Sequence, residues 1–180
     1  MGRAGFGDRV EGLHAVAAAV EAGRVEVLHV ETRRVERAEI VALVEKVEAG
    51  GGAVRQVTDV RSLADTTAPQ GVVAECRPIR ASTLEQVTGA TDPAAVMVLD
   101  RVVDPHNVGA IVRSCVAAGI RGFVLSDRRA APLGAAAFKA AAGSLEHARV
   151  AIVGSIAEAV AQLSRLGLWT VGLDAEGDRS

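Results

Sequence analysis

Strand-like and helix-like segments alternate through the second half of the chain, and this alternation constrains the fold more than any other feature. Residues 94–99 are apolar without interruption, which is typical of a strand buried on both faces of a parallel sheet. Helices and strands are then expected in turn, with helices at 107–118, 133–142 and 155–166 and strands at 122–125, 149–153 and 168–172. This order predicts a parallel α/β sheet.

The first 79 residues predict a smaller α/β unit. The helices expected there carry apolar residues at helical spacing and end at glycine; they cover residues 12–22 and 37–49. The segment at 25–30, between these helices, alternates with period two and predicts a strand. Two more strands are expected after the second helix, at 53–57 and 71–76, with a short helix-like stretch near 59–64 between them.

The two predicted units are separated by a polar segment. Residues 80–94 contain few apolar side chains at any period, and Thr91-Asp92-Pro93 interrupts regular structure. The predicted organisation is therefore a first domain at 1–79, a linker at 80–94 and a second domain at 95–180.

Composition excludes several classes of protein. Hydrophobic residues make up 49% of the 180, which is enough to bury a core and argues against disorder. Cys76 and Cys115 lie far apart and in no Cys-x-x-Cys pair, so we expect neither disulfides nor a metal site, and a cytoplasmic location. No apolar run of about 18 residues occurs, and the first residues lack the apolar segment of a signal peptide, so no membrane association is expected.

Charge points to a local rather than a general anion-binding surface. The formal net charge is −2, which argues against nucleic-acid binding through the whole surface. Residues 101–149, however, contain seven basic and three acidic residues. A patch of this kind can hold phosphates.

The stretch from 99 to 114 is the most informative in the sequence. It runs from the end of the predicted buried strand through a loop into a helix, where open α/β sheets bind ligands. Asn107 is the predicted N-cap, so the helix amino terminus offers N–H groups to an anion. Arg113 is expected to lean back across Gly109 and Ala110 towards Asn107, which brings an amide and a guanidinium together.

The same residues also fit a purely structural role. A capped helix with a solvated Arg113 has the same pattern, and His106 fits an exposed loop residue as well as a base. Lys139 and Glu146 fit the flanks of a helix end. Residue spacing alone therefore establishes an α/β protein whose helix end is suited to an anion.

The run Asp104-Pro105-His106-Asn107-x-Gly109-Ala110-x-x-Arg113-Ser114 resembles the first motif of the SpoU (TrmH) RNA 2′-O-ribose methyltransferases. Residues 12–16 and 71–74 are similar to their small substrate-binding domain, and residues 139–146 and 168–172 to later parts of their catalytic domain. The resemblance covers nearly the whole chain. It is most specific to the bacterial 23S ribosomal RNA guanosine 2′-O-methyltransferases.

The resemblance implies transfer of a methyl group from S-adenosylmethionine to a ribose 2′-hydroxyl of ribosomal RNA, by a homodimer. It implies that Asn107 organises the catalytic site and that Arg113 activates the hydroxyl. A guanidinium keeps its proton in proteins, so we interpret Arg113 as a phosphate clamp that also stabilises charge on the 2′-oxygen. Expected RNA contacts are Arg101, His106, Arg128 and Lys139, and expected cofactor contacts are Gly172 and Leu173.

The sequence also departs from the family pattern. A Gly-x-Glu-Gly segment and a Ser-Leu-Asn segment build most of the family's cofactor pocket and its deep trefoil knot, and neither occurs before Ser180. The rest of the cofactor pocket is therefore expected to lie beyond Ser180. The expected fold is a small α/β substrate-binding domain followed by an incomplete SPOUT domain without the knot. We expect this chain alone to be an inactive fragment that does not bind S-adenosylmethionine.

Two other functions fit parts of the sequence. A non-catalytic RNA-binding module would use the first domain alone. A general nucleotide-binding α/β domain fits less well, because neither a Gly-x-Gly-x-x-Gly fingerprint nor a Gly-Lys-Ser/Thr phosphate loop follows Leu99.

Overall fold

Four strands of the amino-terminal region form a mixed sheet in the computed structural model, which describes residues 5–92, 94–128 and 130–173. Their order across the sheet is β1 (Arg9–Glu11), β4 (Val72–Cys76), β2 (Val25–Glu31) and β3 (Ala53–Val57). β2 and β3 are parallel, whereas β4 is antiparallel to both of its neighbours. Strands β2, β3 and β4 confirm the sequence predictions. β1 was not predicted, because three residues are too few to show an alternating pattern.

Two helices of this region pack against the sheet through their apolar stripes. α1 (Leu13–Glu21) buries Ala15, Val16 and Ala19. α2 (Ala38–Ala49) buries Ile40, Leu43 and Val47 at helical spacing. Both helices lie where their periodicity predicts them.

The second sheet is parallel, with the order β5 (Val96–Leu99), β6 (Gly122–Ser126) and β7 (Arg149–Val153). Two helices, α4 (Pro105–Ala117) and α5 (Ala135–Ala141), share a core with one face of this sheet. α6 (Ile156–Arg165) packs on the opposite face. The predicted parallel α/β class is confirmed.

Residues 80–94 contain a helix that the sequence analysis did not predict. α3 (Leu84–Thr88) starts with a capping box, in which the Gln86 N–H donates to Thr83 Oγ1 at 3.3 Å and the Thr83 N–H donates to Gln86 Oε1 at 3.0 Å. Leu84 and Val87 are buried in the core beneath β6 and β7. The predicted linker is therefore partly structured, and the domain boundaries at 79 and 95 stay a prediction.

The predicted strand at 168–172 is wrong. The segment has the apolar alternation of a strand, but among the described residues it pairs with no neighbouring strand. Trp169 is 98% exposed and Val171 82% exposed, so the alternation buries neither side chain. The prediction that the knot is lacking stays a prediction, because the segment from Asp174 to Ser180 lies outside the described residues.

A continuous apolar core joins the two sheets. The rings of Phe6 and Phe138 lie 6.4 Å apart across the junction. Beside them the Arg24 guanidinium donates to the Glu146 carboxylate, with Nε to Oε2 at 2.7 Å and Nη2 to Oε1 at 2.5 Å. None of the helices within the described ranges combines the length and the apolar character needed to cross a membrane.

Both thiols are expected to be unreactive in the folded protein. Cys76 and Cys115 are free and buried, and burial raises the pKa of the Cys76 thiol to about 12. At pH 8 such a thiol holds about 10³-fold less thiolate than an exposed cysteine. Labelling with a chromogenic disulfide should be slow in buffer and fast in urea, and Cys76→Ser and Cys115→Ser variants assign each thiol. Rapid labelling of Cys76 before unfolding contradicts this burial.

Candidate active site

α4 starts at the carboxyl end of β5, and Asp104 is its N-cap. The Asp104 carboxylate accepts from the His106 N–H at 2.9 Å, and Pro105 is the first helical residue. The predicted cap at Asn107 is therefore wrong by three residues. Asp-Pro was the signal for the correct start, because proline fits the first helical position, where its missing N–H is not needed.

Asn107 and Arg113 lie on the exposed side of α4. Val108, Val112 and Cys115 form the buried stripe of this helix. Six residues of helix separate Asn107 from Arg113 by about 9 Å along the axis and about 120° around it. A long side chain that leans towards the helix amino terminus spans much of that rise. The predicted convergence of the amide and the guanidinium stays a prediction.

Gly109 brings α4 and α5 into close contact. A Cβ at this position would lie 2.5 Å from the Ala137 carbonyl oxygen and 2.6 Å from the Ala140 Cβ. The residue pattern predicts only a small residue beneath Arg113 at this position, so the packing of Gly109 against α5 is not predicted from it. The signal was a glycine in an apolar helix together with an alanine-rich helix further along the chain.

Arg101, His106 and Arg128 are exposed at the carboxyl edge of the parallel sheet. The loop after β5 and the loop after β6 are joined by a hydrogen bond from the Ala131 N–H to the Val102 carbonyl at 2.9 Å. Arg101 has a φ of 55°, in the left-handed region that few non-glycine residues adopt. Three predicted RNA contacts therefore surround the start of α4.

Lys139 makes a different contact. Its ammonium donates to the Thr66 hydroxyl at 3.4 Å and to the Ala68 carbonyl, both in the amino-terminal region. It thus helps to join the two halves of the molecule. An RNA contact for Lys139 stays a prediction.

Gly172 and Leu173 are exposed near the open side of β5. Leu173 lines an apolar cleft of about 220 Å³ together with Val96 of β5 and Leu163 of α6. A cofactor contact for Gly172 and Leu173 stays a prediction. The expectation that the rest of the pocket lies beyond Ser180 also stays a prediction, because the described residues end before Ser180.

Comparison with known proteins accounts for both regions of the chain. Residues 9–82 match the RNA 2′-O ribose methyltransferase substrate binding family, and residues 94–180 match the SpoU rRNA Methylase family. The chain is 31% identical over 183 residues to the 23S rRNA (guanosine-2′-O-)-methyltransferase RlmB of Escherichia coli K12, covering 96% of this chain and 74% of that protein. The chain belongs to the SpoU rRNA methylase family. The resemblance of its first motif is thereby confirmed.

Other SpoU proteins agree with this assignment. The RlmB protein of Nitrosomonas europaea is 39% identical over 113 residues, covering 62% of this chain and 44% of that protein. The AdoMet-bound rRNA methyltransferase of Sinorhizobium meliloti matches with a TM-score of 0.65 and 28% identity, over 87% of this chain and 57% of that one. This SpoU chain thus spans under two thirds of that solved structure.

Proposed function

We propose that this protein methylates ribosomal RNA, transferring the methyl group of S-adenosylmethionine to a ribose 2′-hydroxyl. The observation that carries the proposal is the exposed pair Asn107 and Arg113 on a helix that starts directly at the carboxyl end of β5. The similarity to 23S rRNA (guanosine-2′-O-)-methyltransferases supports ribosomal RNA as the substrate.

The exposed polar side chains around the start of α4 suit the RNA backbone. Arg101 and Arg128 follow neighbouring strands, and His106 occupies the first turn of the helix. Phosphate contacts from arginine fix the position of an RNA without reading its sequence. In this proposal these side chains hold the strand so that one ribose lies beside α4.

Arg113 acts as a fixed positive charge. A guanidinium does not accept a proton, so it cannot serve as a base. It instead holds a phosphate next to the target ribose and stabilises the negative charge that forms on the 2′-oxygen as the hydroxyl proton leaves to solvent. Asn107 orients the ribose through its amide.

The fit of S-adenosylmethionine to the described residues is partial. Leu173, Val171 and Trp169 offer an apolar wall for a purine ring beside β5. Thr170 is the polar side chain of that lining, so groups for the sugar and amino-acid parts are not supplied by the cleft as described. When bound, this cofactor supplies an electrophilic methyl group.

In a complete enzyme, Arg113→Lys is expected to lower methyl transfer by about 10²-fold or more, because a lysine loses the planar fork that holds phosphate. The assay follows tritium from labelled S-adenosylmethionine into transcribed 23S ribosomal RNA. Arg165→Lys, an exposed change at the end of α6, is the control and should leave the rate unchanged. Near-normal transfer by Arg113→Lys contradicts its role.

The same assay decides between the enzyme and a non-catalytic RNA-binding module. The match of residues 9–82 to a substrate-binding family favours RNA binding with or without catalysis. Retention of the RNA without methyl incorporation by a complete enzyme supports the module. We further propose a homodimer that acts in the cytoplasm, and sedimentation of the purified protein tests the dimer.

A further inference from the structure

A polar cleft lies at one edge of the amino-terminal sheet, where three loops meet. One 3-10 helix (Thr32–Arg34) follows β2 and another (Val60–Leu63) follows β3. Because β4 is antiparallel to β2, the loop at 67–71 reaches the same edge. The Thr32 hydroxyl joins the first two loops by donating to the Val57 carbonyl at 3.1 Å. The cleft has a volume of about 300 Å³.

A buried carboxylate orders two arginines in this cleft. Glu31 is only 2% exposed, and its two oxygens accept from Arg33 Nη2 at 2.8 Å and from Arg34 Nε at 3.0 Å. The hydrogen bond from Arg33 holds the pKa of the Glu31 carboxyl below its usual range. Burial of a carboxylate is costly unless it is paired, so Glu31 fixes both guanidinium groups.

A second carboxylate orders the arginine on the facing loop. Asp59 Oδ1 accepts from the Arg61 N–H at 2.9 Å and from Arg61 Nε at 3.3 Å. Each guanidinium carries five N–H donors, and a carboxylate occupies one edge of it. The Arg33 and Arg61 side chains are 64% and 63% exposed, so donors remain available to a ligand.

The third loop, at 67–71, packs against the Arg34 side chain. Gly71 has a φ of 86°, and a Cβ there would lie 2.2 Å from the Arg34 Cδ, so the arginine stem crosses directly over this glycine. Arg34 also donates to the Gln70 carbonyl at 3.4 Å, and Gln70 itself has a φ of 60°. This unusual backbone keeps Arg34 as the floor of the cleft.

Pairing with Glu31 and Asp59 accounts for the positions of the guanidinium groups but leaves the side chains of Arg33 and Arg61 more than half exposed. Exposed ion pairs stabilise a fold only slightly, so the outward-facing donors of these two arginines are not needed for stability. Residues 1–79 carry more acidic than basic residues, yet three cations converge here. Arginines that are already ordered lose less entropy when they bind an anion.

We propose that this cleft binds the phosphodiester backbone of ribosomal RNA, with Arg33 and Arg61 as the phosphate contacts. The inference rests on the proposed function, and it assigns particular phosphate contacts within the region that matches the substrate-binding family. Arginine forks match phosphate oxygens in geometry and charge. Glu31 and Arg34 position these contacts rather than touching the RNA.

The test measures binding of labelled, transcribed 23S ribosomal RNA at several salt concentrations. Arg33→Gln combined with Arg61→Gln should weaken binding about tenfold and lower the salt slope by about one to two. Lys46→Gln combined with Arg165→Gln removes the same charge from exposed sites elsewhere and should leave binding near wild type. Thermal unfolding verifies that both double variants fold, and Arg61→Gln alone should show part of the loss.

Each outcome decides between the two proposals. Equal binding by wild type and the Arg33/Arg61 variant, or an equal loss in both double variants, overturns the cleft and leaves methylation standing. Binding that depends on Arg33 and Arg61, without methyl transfer by a complete enzyme, supports the cleft and contradicts the enzyme. Absence of binding by the wild type overturns both.

Discussion

Replacing Arg24 with alanine is expected to lower the free energy of unfolding by about 3–5 kcal/mol. Arg24 and Glu146 form a two-bond pair whose side chains are 12% and 2% exposed. Arg24 also donates to the Gly7 carbonyl at 3.0 Å and lies 5.8 Å above the Phe138 ring. The alanine variant leaves a buried carboxylate without its counter-ion. Urea denaturation followed by circular dichroism measures the change.

The exposed pair Lys46 and Glu21 is the matched control for this effect. Its atoms lie 3.6 Å apart with both side chains more than half exposed, so Lys46→Ala should cost at most about 1 kcal/mol. Combining Arg24→Met with Glu146→Leu should recover part of the stability, because no unpaired charge remains. An Arg24→Ala cost equal to that of Lys46→Ala means that the junction does not depend on this pair.

Gly109→Val is expected to lower stability by about 3 kcal/mol, because the new side chain meets the backbone of α5. The nearest atoms include the Ala137 carbonyl oxygen and the Ala141 nitrogen, at 2.5 and 2.8 Å from an added Cβ, and backbone cannot move aside as a side chain can. Helix propensity alone favours replacement of glycine, by up to about 1 kcal/mol for alanine. Gly109→Ala therefore lowers stability if the contact with α5 dominates, and raises stability if helix propensity dominates.

Thermal unfolding of Gly109→Ala, Gly109→Val and Ala110→Val tests this packing. Ala110 is exposed on the same helix, so valine there should cost only its lower helix propensity, about 0.5 kcal/mol. A higher melting temperature for Gly109→Ala shows that α4 and α5 do not approach as closely as described.

Local patterns predicted most of the regular structure of this chain. The helical spacing of Ile40, Val41, Val44 and Val47 predicted α2, although Leu43 is buried and Val41 is exposed. The apolar run at 94–99 predicted β5, but in the described part of the chain this strand lies at the edge of its sheet and is half-buried, not buried on both faces. α3 was missed because its two buried residues are too few to show a period, although the Thr83 capping signal was present. The prediction of a strand at 168–172 was wrong. An alternating pattern sets which side chains would share a face of a strand, but it does not supply a neighbouring strand for hydrogen bonding.

The candidate site was predicted in part. Residue spacing predicted a helix that contains Arg113, and the resemblance gave Asn107 and Arg113 their catalytic roles. The helix does start after the carboxyl end of β5, but its N-cap is Asp104 and not Asn107. Arg24 and Glu146 are 122 residues apart, and no local pattern pairs them. In the cleft around Glu31, Arg33 and Arg34 follow the carboxylate directly in sequence, whereas Arg61 comes from a separate loop that only the tertiary fold brings to it.

α5 contacts both parts of the molecule, and this has a consequence for target choice. Gly109 lets α4 pack closely against one side of α5, while Phe138 and Lys139 of α5 contact the amino-terminal region. These contacts connect the arginine cleft to α4 through the packed core. If RNA binds at both places, as proposed, the span between them limits which ribose reaches α4. Under the two proposals, the distance from the bound phosphates therefore sets the position of the methylated nucleotide.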